Sequence, residues 1–304
     1  SISQAIIKKL GAKQIYLALA LSAMLLTAIG VFIDVAVITI APIALIAGSQ
    51  LRLSRAKLLI AMIGGGKCGN IISPNPNSII AAENFNAPLP SVMAANIIPA
   101  IIGLLFTIYI IVPLLPKGTI LQPTEQIEDN MRLPSLRSSV IAPIVTIVLL
   151  TLRPLFGIII DPLVALSAGG IIGIVATRNW HKTNDCLSYG LGKMSTIAIL
   201  LIGTGALAGV IKASTIKDIL INLLAGWSNG GTIMAPLSGT LMCAATASTT
   251  AGATIASASF AQSILGAGVA AVWGAAMINA GSTVLDHLPH GSFFHATGGA
   301  VGMD

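Results

Sequence analysis

Three of the four histidines, His287, His290 and His295, fall within nine residues, and Asp286 stands beside the first. Imidazole and carboxylate are both metal ligands, but the spacing His-x2-His-x4-His fits no common zinc motif, and no HExxH glutamate accompanies it. Histidine titrates near neutral pH, so proton handling or substrate binding is the stronger chemical reading, against an exposed loop tip. Asp286 and His287 are candidate coupling-ion residues, and His290 and Ser292 candidate substrate contacts. No metal, cofactor or catalytic constellation is expected, and the chain is not read as an enzyme.

A second polar cluster lies at residues 61–78, AMIGGGKCGNIISPNPNS. Lys67, Asn70, Ser73, Asn75 and Asn77 stand there among apolar neighbours. Pro74 and Pro76 lack backbone donors and enforce extended backbone. A helix broken inside a bilayer exposes backbone groups, which is tolerable where they face protein, water or a ligand. The restarted helix presents free N–H groups and a positive dipole end to anions. Amide and hydroxyl side chains bind carboxylate or hydroxyl oxygens. The alternative is a lipid-interface loop of ordinary turn residues. Lys67 could attract an anion, pair with an acid such as Asp34, or snorkel.

Two further groups add to the set. Asp34 lies in an apolar run, where an unpaired carboxylate is costly and a functional candidate, here for the coupling ion; a helix cap near Gly30 is the competing reading. Residues 238–259 are rich in hydroxyls, with Thr249 and Thr250 beside an expected break. They line a polar cavity, or they bond back to carbonyls one turn earlier and hide.

The two motifs are related. AMINAGSTVLDHLPHGS at 276–292 carries Ala276, Met277 and Ile278 where the first has Ala61, Met62 and Ile63; Gly281 answers Gly66 and Pro289 answers Pro74, at a constant offset of 289 − 74 = 215. The same offset places Thr39-Ile40-Ala41 on Thr254-Ile255-Ala256. Paired broken segments in one chain suggest a transporter built from internal repeats, inverted if an odd number of crossings separates them, with the substrate where they meet.

Composition supplies the surroundings. The chain has 304 residues, 55% hydrophobic and only 9% charged, with a mean hydropathy of +0.92. Soluble domains carry about 25% charged residues, so a soluble fold is excluded. Long apolar blocks argue for helices over a β-barrel. The predicted class is an all-α polytopic membrane protein with broken helices and re-entrant segments. The net charge of +6 comes from 16 scattered Lys and Arg, which set membrane topology and point away from nucleic acid. Cys68, Cys186 and Cys243 are too far apart for a metal pair or a disulfide framework.

Along the chain, residues 1–13 read as an interfacial helix or the end of one. Residues 14–49 form one broken helix or two close passes, and 90–115 a span. The hydrophilic stretch 116–137 is the expected linker between a first membrane half, 1–115, and a second, 138–304. Spans are predicted at 138–160, 162–177, 194–212 and 261–284, with a loop at 178–193, an amphipathic piece at 216–227 and one long segment at 232–260. Arg153 and Asp161 flank a turn. Both ends look cut.

The chain resembles the gluconate permease (GntP) family of the ion transporter superfamily. Residues 8–43, KKLGAKQIYLALALSAMLLTAIGVFIDVAVITIAPI, are similar to that family's G-F-F-D-type region and the apolar run after it. The first motif takes the place of its PP-x-PGP segment. GTGALAGVI at 203–211 resembles its Gly-rich helix, and SGTLMCAATASTTAG at 238–252 its SG-x-T segment. SPNPNS departs from PP-x-PGP, no histidine precedes it at 66–69, and DHLPHGSFFHATGG stands where the family has an N-D-S-G-F-W type sequence. The resemblance implies proton-coupled symport of a small organic acid anion, gluconate or a related sugar or hydroxy acid, and further helices at both ends. The expected setting is a bacterial cytoplasmic (inner) membrane, as a multi-pass homodimer in the lipid bilayer. The alternatives are sodium coupling, a cation–proton antiporter using Asp34 and Asp286, an intramembrane metalloenzyme, and a passive channel.

Overall fold

The computed structural model describes residues 14–116, 118–121, 162–178, 180–215 and 230–303, with isolated positions between 141 and 160 and at 219 and 222. The expected N-terminal interfacial helix, most of the 116–137 linker, Arg153, Asp161, and most of the 138–160 span and the 216–227 piece lie outside the described residues. The described chain is helical, and its contacts divide it into two units. One comprises 1–70, 101–189 and 297–304; the other comprises 71–100 and 190–296.

In the first unit, the apolar run after Gln14 forms two helices, α1 (Ile15–Ala28) and α2 (Ile33–Gln50). The break falls at Gly30, whose φ of +100° suits glycine. Asp34 lies in the first turn of α2 and accepts the Val35 backbone N–H at 2.9 Å. A carboxylate there is favoured by the positive end of the helix dipole. α3 (Arg55–Ile71) then runs without a break through Gly64-Gly65-Gly66.

That continuity places the break at 72–75, beyond the glycines. They are packing surfaces. A methyl group on Gly65 or Gly69 would overlap the carbonyl oxygen of Ala20 or Met24 on α1, and one on Gly64 would overlap the Thr107 side chain. Gly65 and Gly69 are four apart, as are Ala20 and Met24, so two bare ridges lie against each other. The unit also contains Arg55, which donates to the carbonyls of Val301 at 2.9 Å and Gly302 at 3.0 Å.

In the second unit, α4 (Pro76–Asn84) and α5 (Leu89–Ala95) pack with α9 (Gly230–Thr246), α10 (Thr249–Gly266) and α11 (Ala271–Gly281). Phe85, Val92, Ile255, Phe260, Ile264 and Ile278 fill its core. Gly281 abuts the Pro236 carbonyl, Gly239 abuts Ile278, and Gly252 abuts the backbone of Cys243, so α9 to α11 also meet backbone to backbone.

α6 (Ile97–Phe106) continues α5 with an interruption at Asn96. The run Leu89–Leu114 and α2 are, among the described residues, long and apolar enough to cross a bilayer. Ile98, Ile102 and Tyr109 on that run are exposed, a surface suited to acyl chains. α7 (Pro162–Ala176), α8 (Thr183–Ala213) and α12 (Ser292–Ala300) are the other described α-helices longer than one turn.

Other boundaries differ from the expected ones. The polar loop predicted at 178–193 is mostly helix, because α8 starts at Thr183 and runs for 31 residues. Its first turns carry no proline, and polarity alone does not end a helix. The expected break beside Thr249 and Thr250 is present: the segment 232–260 is interrupted at Ala247, with φ +45°, and Ser248 caps α10 by accepting the Ala251 N–H. The span predicted at 261–284 is interrupted at 267–270. Gly268, with φ +84°, closes α10, and the Val269 N–H bonds back to the Ile264 carbonyl.

Candidate functional site

The break after α3 follows from its prolines. Each restricts the residue before it to extended backbone, so neither Ser73 nor Asn75 favours a helix. Asn75 is extended (φ −81°, ψ 159°), and Pro76 occupies the first turn of α4, where a missing N–H costs nothing. Ser73, Asn75, Asn77 and Ser78 are all buried. The side chain of Asn75 does not cap α4.

A dense set of side-chain hydrogen bonds holds this break. The Ile71 carbonyl, at the end of α3, accepts from the amides of Asn96 at 3.2 Å and Asn279 at 3.3 Å. Asn279 also donates to Ser78 Oγ at 3.0 Å and accepts from Asn77 Nδ2 at 2.7 Å. A buried amide left unpaired costs several kcal/mol, so its full bonding matters. Asn84 donates to Ser257 Oγ at 2.8 Å and ties α4 to α10. Thus the first motif meets the second at Asn279 on α11, inside one unit.

A second cluster forms at the other motif. Thr249 Oγ1 donates to Asp286 Oδ2 at 2.6 Å, and His287 Nδ1 lies 3.5 Å from Asp286 Oδ1. Asp286 is 2% exposed, whereas the His287 side chain is 48% exposed. A buried carboxylate therefore has a half-exposed imidazole beside it.

The other sequence-predicted residues have different settings. His290 and Ser292 are exposed. His295 Nε2 lies 2.8 Å from the Pro289 carbonyl, and its ring stands edge-on to Phe294. Among the described residues no three His, Cys, Asp or Glu side chains gather as a metal site. Thr250 is half-buried. Asp34, Lys67 and Asn70 belong to the first unit; Lys67 is half-buried on α3, and Asn70 is buried near that helix's end.

The hydroxyl-rich segment mostly hides its polarity. Ser238, Thr240, Thr246, Thr254 and Ser257 each bond to a carbonyl three or four residues earlier. Thr249 is different, because its hydroxyl reaches across to Asp286. Sequence reasoning missed Asn279 and Asn96. Asn279 is a lone amide in an apolar helix and Asn96 one between two apolar helices, and such an amide has to find a partner, which was the available signal.

Comparison with known proteins fits this architecture. Residues 1–167 match the model of the GntP family of permeases. An uncharacterized transporter of Haemophilus influenzae is 52% identical over 305 residues, covering all of this chain and 73% of that protein. The chain belongs to the GntP permease family. It is therefore a transporter and a membrane protein. Residues 138–227 of this GntP-family chain also match the model of a Na+-H+ antiporter family. No solved structure matches it.

Proposed function

We propose that this GntP-family transporter is a symporter that carries a small organic acid anion, gluconate or a related sugar or hydroxy acid, together with protons. The observation that carries the reading is the break at 72–75, with Ser73, Asn75, Asn77 and Ser78 all buried in a unit that also holds a large apolar core cluster. The first N–H groups of α4 have no intrahelical acceptor and favour an anion. Residues 286–292, in the same unit, supply the second polar segment, with His290, Ser292 and, on α10, Thr250 as further substrate contacts. Asp286, with Thr249 and His287, takes the coupling proton.

The helix boundaries support an internal repeat. α1 to α4 begin at 15, 33, 55 and 76, and α9 to α12 begin at 230, 249, 271 and 292. The differences are 230 − 15 = 215, 249 − 33 = 216, 271 − 55 = 216 and 292 − 76 = 216. Both copies read as helix, helix, helix, break, helix, and in both the first and third helices meet at a glycine: Gly65 on Ala20, Gly281 on Pro236. At the 215-residue offset Asp34 corresponds to Thr249. Two such copies of opposite orientation, with the breaks re-entrant, suit alternating access in a multi-pass protein of the bacterial cytoplasmic membrane.

The test is uptake of labelled gluconate and related acids into proteoliposomes under an inward proton gradient. Accumulation above equilibrium supports symport; its absence for every sugar acid, hydroxy acid and dicarboxylate tried overturns it. Asn75→Ala is expected to raise the half-saturating concentration on the order of tenfold, the loss of one hydrogen bond to a charged group. The match of residues 138–227 to an antiporter family favours one other reading, sodium–proton exchange without an organic substrate. Sodium-driven proton movement in the absence of any acid would establish that reading instead.

A further inference from the structure

We propose that Asn279 is a positioning residue of the transport site: one side chain from the second motif sets the geometry of the break in the first. The inference rests on the reading of residues 72–78 as the substrate segment. Asn279 is fully buried on α11 and engages three groups around the break. Its amide nitrogen donates to the Ile71 carbonyl, where α3 ends, and to Ser78 Oγ, in the first turn of α4; its amide oxygen accepts from Asn77. The two ends of the interruption are therefore pinned to the same side chain. Asn96 gives the Ile71 carbonyl a second donor, but it does not reach α4 in the bonds it makes here.

The chemistry of the amide is specific to this task. The segment between the two ends contains two prolines and cannot tie itself together through their backbone nitrogens. Asn279 supplies two donors and an acceptor from outside the segment, a set that a side-chain amide combines in one group. Asn77, a proposed substrate contact, has its side chain oriented by Asn279 Oδ1 at 2.7 Å. Any substrate that draws on Asn77 thereby acts on α11, which leads into the second motif. The signature to expect is a change in substrate affinity, beyond any change in stability.

The test compares Asn279→Leu, which keeps the branched outline of the side chain and removes all three bonds, with Ser257→Ala, which removes the hydroxyl that accepts from Asn84 in the same unit. Both are made in the intact protein and reconstituted in liposomes. Asn279→Leu is expected to raise the half-saturating gluconate concentration by about tenfold or more, with the maximal rate within about threefold, while Ser257→Ala leaves both nearly unchanged. Hydrogen–deuterium exchange across 71–80 should quicken on the order of tenfold in Asn279→Leu and stay as in the wild type in Ser257→Ala. Asn279→Gln, which retains the amide, should recover part of both. If Asn279→Leu changes only the melting temperature, with affinity and exchange at 71–80 as in the wild type, the proposal is overturned. If the wild-type protein takes up none of the sugar acids, hydroxy acids and dicarboxylates, the substrate reading fails separately, and exchange at 71–80 decides the role of Asn279.

Discussion

Asp286→Asn is expected to lower proton-driven accumulation of substrate on the order of 100-fold while exchange of labelled for unlabelled substrate continues within about threefold. The reason is the setting of the carboxylate. It is 2% exposed, held by Thr249 at 2.6 Å and flanked by His287 at 3.5 Å. A buried negative charge is expensive unless compensated, so occupation of this site by a proton or cation alters the energy of the surrounding structure. Asparagine preserves shape and bonding to Thr249 but cannot change charge. Exchange needs no net movement of the coupling ion and should persist. Asp34→Asn should do less, because Asp34 is half-buried at a helix N-terminus and accepts a backbone N–H. Equal loss of accumulation and exchange in Asp286→Asn would reassign Asp286 to substrate binding or folding.

Gly65→Val is expected to be the most damaging change to stability. Any β-carbon at this site overlaps the Ala20 carbonyl, which is main chain and cannot rotate away. Relieving the clash requires α1 and α3 to separate along the ridge formed by Gly65 and Gly69. Overpacking of this kind costs about 3 kcal/mol. It should lower the melting temperature on the order of 10 °C, read by thermal unfolding in detergent. Gly299→Ala, where no atom lies near the added methyl, should stay within about 0.5 kcal/mol of the wild type. Similar melting for both variants would show that close helix contact is not what the glycine provides.

The two cases mark what could be read without coordinates. The helical class and the interruption at 72–75 follow from composition and from two prolines, whose effects are local. The separation of α1 from α2 at Gly30 is local as well. The part played by Gly64-Gly65-Gly66 was not legible, since a run of glycines signals a break or a close contact equally well. Only the carbonyls of α1 opposite decide between them. Asn279 escaped notice for a similar reason, because its partners Ile71, Asn77 and Ser78 lie some 200 residues away in sequence. The hydroxyls of α9 and α10 pointed toward a polar cavity, but most fold back on their own helices, a choice that depends on side-chain rotamers. The bond of Thr249 to Asp286, like those of Thr240 to the Gly281 carbonyl and of Asn84 to Ser257, required tertiary structure to find.

Substrate protection of the break is the most direct test of the claim that an organic anion binds there. The thiol in Ile72→Cys, made in a Cys186→Ser background to remove the exposed native cysteine, is alkylated in proteoliposomes with and without sugar acids, hydroxy acids and dicarboxylates. The account predicts that the acid the protein transports slows alkylation on the order of tenfold, and that Asn75→Ala weakens this protection. Alkylation at the same rate with and without a transported acid would contradict it.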